Sequence, residues 1–412
     1  MSDAKRAPLQ SLDQALATLL ATVTPLSDVE SVSTFDALGR VLARDVASSL
    51  DVPPADNTGM DGYALCAAEV SAPGTVLPVA QRVPAGVVGA AHRSGTAARI
   101  FTGAQIPLGA DAVVMQEQCE AIADATGHGL GSVRINTAVQ AGQWIRRRGE
   151  DVMQGAIVLQ AGARLIAPSL GLAASVGAAA LSVTRRPKVA LFSTGDELAM
   201  PGEPLKPGAI YNSNRFMLRG LLQGLGCEVI DLGIVEDKLD ATRAALREAA
   251  GQADLILTCG GVSVGEEDHL RPAVEAEGRL DMWQIAIKPG KPLAFGRVQK
   301  SWFIGLPGNP VSSLLTFLLL VRPVLLRLQG ATALTPRRIK LRADFDWLKP
   351  DRRREFLRVR LNAAGGLELF ANQSSGVLTS AVWADGLVDN PASQAISAGQ
   401  MVDFIAMNEL LS

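Results

Sequence analysis

Leu255-Ile-Leu-Thr-Cys-Gly-Gly-Val-Ser-Val-Gly-Glu-Glu-Asp-His269 is the stretch on which the fold of this chain turns. Residues 255–259 form a short apolar run of strand length. The run stops at Gly260-Gly261, and Ser263, Gly265, Glu266, Glu267 and Asp268 follow before the helix-like residues 269–277. That is the pattern of a buried parallel strand whose C-terminal end opens into a site. In doubly wound sheets, ligands sit outside the carboxyl ends of the strands, where glycines let a ligand approach the backbone and free N–H groups can hold an anion. The glycines suit phosphate, and the acids suit something else. Carboxylates beside a phosphate repel it unless a hard cation lies between, so Asp268 with Glu266 or Glu267 suggests a Mg²⁺-bridged phosphate. The plainer alternative is a glycine turn followed by a solvated acidic helix start.

The same period continues on both sides. Strands are expected at 189–193, 228–235, 283–286, 292–296 and 302–306, and helices at 214–225, 240–250 and 311–328. Strand and helix alternating at this spacing give an α/β domain, over 186–332, with a mostly parallel, doubly wound sheet. Three more loops fall at strand ends: Ser193-Thr-Gly-Asp-Glu-Leu198, Ile287-Lys-Pro-Gly-Lys-Pro-Leu293 and Leu306-Pro-Gly-Asn-Pro-Val-Ser312. Each alone reads as a turn. Four on one domain read as a common pocket, in which Lys288 and Lys291 bind phosphate as point charges and the helix after Pro310 offers its unpaired N–H groups. Asp237, after the strand at 228–235, also has a claim on this pocket.

The flanking chain has a different grain. Ser11 caps an amphipathic helix over 11–22, with Leu12, Ala15, Leu16, Leu19 and Leu20 on one face, which needs a partner surface elsewhere. A short helical piece at 34–39 precedes a strand-like stretch at 40–47. Residues 47–142 carry short strands broken by Gly, Pro and Asn, at 76–83, 98–101, 112–116 and 132–136, and read as an inserted β-rich domain. Strand, helix and strand follow over 155–183, with Pro168 in the first turn of the helix. Strands return at 338–345, 355–361, 367–371 and 401–407. The chain is thus multidomain: 1–46 with 143–185 as a linker domain, 47–142 inserted, 186–332 as the sheet domain, and 333–412 as a C-terminal β domain. Met60-Asp-Gly-Tyr-Ala64 and Arg148-Gly-Glu-Asp151 each place an acid near glycine in an irregular segment, for which a solvated turn is the default reading.

Composition narrows the functional classes. A length of 412 residues suggests roughly three domains. A net charge of −2 implies no general polyanion-binding surface, so nucleic acid is not an expected partner. The purely apolar run 317–321 is closed by Arg322 and Pro323 and is too short to cross a bilayer, and residues 1–10 have no apolar core, so a cytoplasmic protein with no membrane partner is expected. The four cysteines have no C-x-x-C spacing and the three histidines are not spaced with them, which points to reduced structural thiols and against zinc.

Met60-Asp-Gly-Tyr-Ala, Phe101-Thr-Gly-Ala, Arg148-Gly-Glu-Asp, Ser193-Thr-Gly-Asp-Glu-Leu, Gly260-Gly-Val-Ser-Val-Gly, Lys288-Pro-Gly-Lys-Pro and Leu306-Pro-Gly-Asn-Pro-Val-Ser, in this order, resemble the molybdopterin molybdenumtransferase family, often called MoeA. The resemblance covers nearly the whole chain. It implies an elongated homodimer of four-domain subunits. It also implies hydrolysis of adenylylated molybdopterin with a divalent cation, taken as Mg²⁺, and insertion of molybdate into the dithiolene with release of AMP. Transient contacts with the molybdopterin adenylyltransferase and with apo-molybdoenzymes belong to the same picture. By resemblance, Asp61, Asp151, Glu197, Asp237 and Asp268 are the functional acids, Asp61 reaching across the dimer, with Glu197 and Asp268 at the metal. Thr102 lies near the cleft. Thr194, Gly195, Gly260, Gly261, Ser263, Gly265, Lys288 and Lys291 bind substrate, Pro307, Gly308, Asn309 and Pro310 shape the floor, and Arg354, Ser374 and Ser375 line the opposite wall.

The chain departs from the family pattern at two points. Thr58-Gly59 precedes Met60 where many members have Ser-Ala, and Lys238 follows Asp237 where some carry a second acid, which puts a paired-carboxylate role there in doubt. Three other readings remain at this level, the most distant of them a generic Mg²⁺-dependent phosphohydrolase. The adenylyltransferase that makes the substrate shares the sheet domain but lacks the Met60 motif and the C-terminal domain. A scaffold module from a different class need not keep the acids.

Overall fold

A computed structural model describes residues 9–261 and 269–411. Its centre is a six-stranded sheet of β1 (Lys188–Thr194), β2 (Glu228–Val235), β3 (Leu255–Cys259), β4 (Gly278–Gln284), β5 (Pro292–Val298) and β6 (Ser301–Leu306), in the order β2-β1-β3-β6-β5-β4. The pairs from β2 through β6 are parallel. β5 and β4 run antiparallel at one edge, an arrangement that strand–helix alternation alone does not reveal. Only Gln299 and Lys300 separate β5 from β6. Two residues make a hairpin but cannot cross over, and Gln299 takes the left-handed φ of 51° that such a turn requires.

Period-2 alternation buries both faces of β1: Val189 and Leu191 enter one core, Ala190 and Phe192 the other. Helices α1 (Leu12–Thr22), α2 (Ser213–Gly224) and α5 (Pro310–Leu328) cover the first face, and α3 (Leu239–Gln252) and α4 (Leu270–Glu277) the second. α1 thus finds its partner surface on the sheet domain. Its start carries a capping box between Ser11 and Gln14, and Leu12, Ala15 and Leu19 are buried. α5 is long and apolar enough to cross a membrane by length and composition, yet its place is the interior of this core.

The linker segment pairs Val29–Ser33 with Ala180–Thr184. The first of these strands is largely exposed on both sides, so no alternation marks it. The expected strand at 40–47 is reduced to bridges and the pair Val46–Ala47, which meets Ile157–Leu159. The inserted sheet has the order Ala112–Met115, Gly62–Leu65, Ala97–Ile100, Thr75–Val83, Ser132–Ile135, Cys119–Ile122. Gly62–Leu65, expected as irregular chain, is a fully buried central strand too short to show a period. In the C-terminal sheet, β7 (Arg354–Leu361) pairs with β8 (Gly386–Asn390) on one side and, in parallel, with Ile287–Lys288 on the other. β8 escapes sequence reading because Asp389-Asn390 is poor strand composition. Asp389 is tolerated at 4% exposure because Arg338 and Arg354 pair with it.

The linker is riveted to the sheet domain by Arg185. Its guanidinium grips Asp254 through two 2.8 Å bonds and reaches Asp28 at 2.7 Å, while the Lys188 N–H also donates to Asp254. Burial would raise the Asp254 pKa, but Arg185 and the Lys188 N–H override it and hold the carboxyl below its ordinary value. A depressed carboxyl pKa stabilises the fold above the unfolded-state pKa, and the contribution fades as pH falls through the folded-state value. Asp254→Asn is expected to cost about 2 kcal/mol at neutral pH. Urea unfolding from pH 7 downward should show the two proteins converging in acid; a gap constant with pH would contradict this.

Candidate functional site

β2 lies on one side of β1 and β3 on the other, so the strand order reverses between β1 and β3. Connections diverge there and leave a crevice at the carboxyl ends. A cleft of about 850 Å³ opens at that point. Its lining brings together Thr194, Gly195 and Glu197 after β1, Asp237 after β2, Gly260 and Gly261 after β3, Lys288 and Lys291 from the turn between β4 and β5, and Pro307, Gly308 and Asn309 after β6. Ser374 and Ser375 close it from the C-terminal sheet. Pro310 lines an adjoining compartment of about 550 Å³ that shares Thr194, Glu197, Gly260, Gly308 and Asn309 with the cleft. Ser263, Gly265, Glu266, Glu267 and Asp268 lie outside the described residues.

Close approach to backbone requires glycine at Gly260, and a φ of 143° favours it at Gly195. At Gly260, with φ of 96°, a Cβ would meet the Thr194 carbonyl oxygen at 2.6 Å. At Gly195 a Cβ would lie 2.5 Å from Glu197 Oε2, so the carboxylate folds over bare backbone. The expected N–H donors are fewer than the sequence suggests. The Gly260 N–H donates to the Leu306 carbonyl, and the first free N–H of α5, at Val311, donates to the Ser375 carbonyl. Those bonds lock the loops that form the floor rather than greet a ligand. Asn214 adds to the lock, donating to the Gly308 carbonyl at 2.6 Å and to Cys259 Sγ at 3.0 Å. Burial pushes the Cys259 thiol pKa up despite those contacts, so it is a packing group.

The cations are not equivalent. Lys288 Nζ is held by Glu355 Oε1 at 3.2 Å and Asp351 Oδ2 at 3.4 Å, both on the C-terminal sheet side, so it is not the independent point charge expected. Lys291 has no ion-pair partner among the described residues. Arg354 does not line the wall as expected. Asp389, one strand over, captures its guanidinium through bonds of 2.5 and 2.6 Å, and Asp13 on α1 takes its remaining reach. Arg353, one residue earlier, lines the cleft instead, bound to Asp351, whose carboxyl it holds well below the ordinary range.

Sequence reading missed Arg358. It is 1% exposed, and its guanidinium donates to Ser380 Oγ and to the Phe356 and Ser374 carbonyls, with no carboxylate partner among the described residues. Desolvation brings its pKa down to about 10, so it stays charged at neutral pH. A buried, uncompensated cation directly behind Ser374 is costly unless an anion visits. Its position among alternating Arg residues of β7 hides it in the sequence.

Asp61, Thr102 and Asp151 are not in the lining of this cleft. Asp61 and Thr102 do meet each other in the inserted domain: the Thr102 N–H and hydroxyl donate to Asp61 Oδ1 at 2.8 and 2.7 Å and hold its carboxyl below the ordinary value. Asp151 sits exposed at the neck of that domain, its N–H donating to the Val52 carbonyl.

A doubly wound sheet domain of molybdopterin-binding type, with a cleft between its strand ends and a C-terminal β domain, in a chain that also carries an inserted β domain, defines the class. Residues 190–327 match the "probable molybdopterin binding domain", 10–177 the MoeA N-terminal region (domain I and II), and 340–407 the MoeA C-terminal region (domain IV). The chain is 43% identical over 320 residues to the molybdopterin molybdenumtransferase of Haemophilus influenzae, covering 78% of each, and 35% identical over 408 residues to that of Synechococcus elongatus, covering 96% of this chain and 97% of the other. A solved molybdopterin biosynthesis MoeA protein from Pyrococcus horikoshii superposes with a TM-score of 0.82 at 29% identity, covering 97% of this chain and 100% of that one. The chain belongs to the molybdopterin molybdenumtransferase family.

The two arginines should separate cleanly. Arg354→Ala, which leaves Asp389 short of a partner, is expected to cost about 3 kcal/mol of stability in denaturant titration. Arg358→Met should weaken oxyanion binding in the cleft at least about tenfold, or about 1.4 kcal/mol, by calorimetry with molybdate. Equal effects of both variants on stability and on binding would contradict the division.

Proposed function

We propose that this chain inserts molybdenum into molybdopterin, taking adenylylated molybdopterin and molybdate and releasing AMP. The observation that carries the reading is the cleft itself, where Lys291 lines the wall with Ser374 and Ser375 and Arg358 lies buried behind Ser374, both without carboxylate partners among the described residues. Two uncompensated cations suit a dianionic tetrahedral oxyanion. The adjoining compartment supports a substrate with two heads. Ser193, Thr194, Asn212 and Asn214 line it, and their Oγ, Oγ1, Nδ2 and Oδ1 atoms are buried with no hydrogen-bond partner among the described residues, which suits a polar heterocycle against this wall.

The acids support a divalent cation. Mg²⁺ is bound by one or two carboxylates plus substrate phosphates, so it needs no larger cluster of protein ligands. Glu197, folded over Gly195, and Asp268 would hold it, and bound there it supplies neutralisation of charge on the leaving AMP. The chain's own part is to hold the pyrophosphate link over the glycines, to fix the oxyanion against the basic wall, and to exclude bulk water from the cleft floor. Asp61, held by Thr102, belongs to the same site in this reading but is contributed by a second copy of the chain, in a homodimer, because it is absent from the cleft lining of its own subunit. The cytoplasm is the compartment assigned to the reaction.

The purified chain is expected to release AMP from adenylylated molybdopterin with Mg²⁺, faster with molybdate, and Asp268→Asn should abolish the stimulation; no release by a folded protein would favour a binding module instead. Asp61→Asn and Asp268→Asn subunits, each inactive alone, should regain activity when mixed, since one of the two sites in a heterodimer is intact. No recovery would refute the shared site.

A further inference from the structure

The structure assigns Glu355 as a positioning residue that acts through Lys288 and makes the basic wall selective among tetrahedral dianions. This rests on the insertase reading of the cleft. Glu355 is 1% exposed, at the point where β7 pairs with Ile287–Lys288. Its two oxygens have separate tasks. Oε2 accepts from Trp347 Nε1 at 2.7 Å and from the Asp351 N–H at 3.1 Å, both neutral donors of the C-terminal domain, so the carboxylate cannot swing. Oε1 accepts from Lys288 Nζ at 3.2 Å.

Lysine is a flexible four-carbon stem ending in a compact charge with three donors. Left alone, it adapts its reach to anions of any size. Here Glu355 takes one hydrogen bond from the ammonium and Asp351 draws it to the same side by an ion pair at 3.4 Å, which fixes where its remaining donors can face the cleft. The backbone reinforces the clamp. Lys288 and Glu355 are register partners, the Arg354 N–H donates to the Ala286 carbonyl, and Arg353 reaches the Ile287 carbonyl. Glu355 also cancels the Lys288 charge, as Asp351 cancels that of Arg353. Selection by the wall therefore falls to donor spacing rather than to excess charge, and a fixed spacing suits molybdate, whose oxygens stand farther apart than those of sulfate. A mobile ammonium with a full charge would bind either ion and lose the distinction.

The test is a double-mutant cycle on the full-length chain, with molybdate and sulfate affinities measured by calorimetry for the wild type, Glu355→Gln, Lys288→Met and the double variant. Glu355→Gln should reduce the preference for molybdate over sulfate about tenfold, chiefly by tightening sulfate. With Lys288→Met already present, adding Glu355→Gln should change the preference by less than about twofold. A merely structural Glu355 would shift it equally in both backgrounds, and that result overturns the assignment. An unchanged preference in Glu355→Gln with Lys288 present does the same. If Glu355→Gln fails to fold, Trp347→Phe, which removes the shorter of the two bonds that hold Oε2, carries the test with an expected change of about threefold and the same overturning outcomes. Molybdate binding that survives every variant with its preference intact refutes the role of Glu355 alone. A wild type that binds no molybdate refutes the insertase reading, and the assignment falls with it.

Discussion

The turn between β4 and β5 is hydrogen-bonded to the chain on both sides, and the site depends on that constraint. Gln10, just ahead of α1, exchanges backbone bonds with Gln284 and Ala286, and the same segment pairs through Ile287–Lys288 with the first residues of β7. N-terminal chain, sheet domain and C-terminal domain meet in a stretch of a few residues. Because backbone hydrogen bonds are short and directional, a stretch bonded on both sides cannot shift without breaking several at once. The cleft is therefore a gap between domains whose two walls are set relative to each other. The core repeats the arrangement: Phe356, Leu387 and Ile405 of the C-terminal sheet share one apolar cluster with α1, β1, β3 and α5.

Electrostatics follow from that docking. The C-terminal domain brings Asp351, Glu355, Arg353 and Arg358 to a wall to which the sheet domain contributes Lys288 and Lys291. Four of the six charges cancel in pairs within the protein. Among the described residues, what remains positive on that wall is Lys291 at the surface of the cleft and Arg358 buried behind Ser374. A buried cation without a carboxylate destabilises the empty protein, and an arriving dianion relieves that cost.

Much of this was legible in the sequence, for identifiable reasons. The parallel strands and their Gly-rich exits carry their own signal, since strands buried on both faces read as continuous apolar runs and their turns need Gly and Pro. The residues at those exits, Thr194, Gly195, Glu197, Asp237, Gly260, Lys288 and Asn309, meet in one cleft. What escaped depended on partners distant in sequence. Gly62–Leu65 and Gly386–Asn390 are strands because neighbours on both sides complete them, and Arg354 was read as a wall residue because Asp389 and Asp13 are 35 and 341 positions away. Arg358 is one of several similar arginines along a strand, and only burial distinguishes it. Free N–H groups at Gly260 and Val311 were expected from local rules, and loop–loop contacts use them.

The central claim, that the gap between the strand ends and the C-terminal sheet receives the tetrahedral metal oxyanion, can be tested directly by diffraction. Crystals soaked in molybdate or tungstate should give an anomalous peak at the metal's absorption edge inside the cleft, within contact of Lys291 and the Ser374-Ser375 turn and on the side toward Arg358. Occupied peaks confined to the rest of the surface, with the cleft empty at saturating oxyanion, would contradict the account.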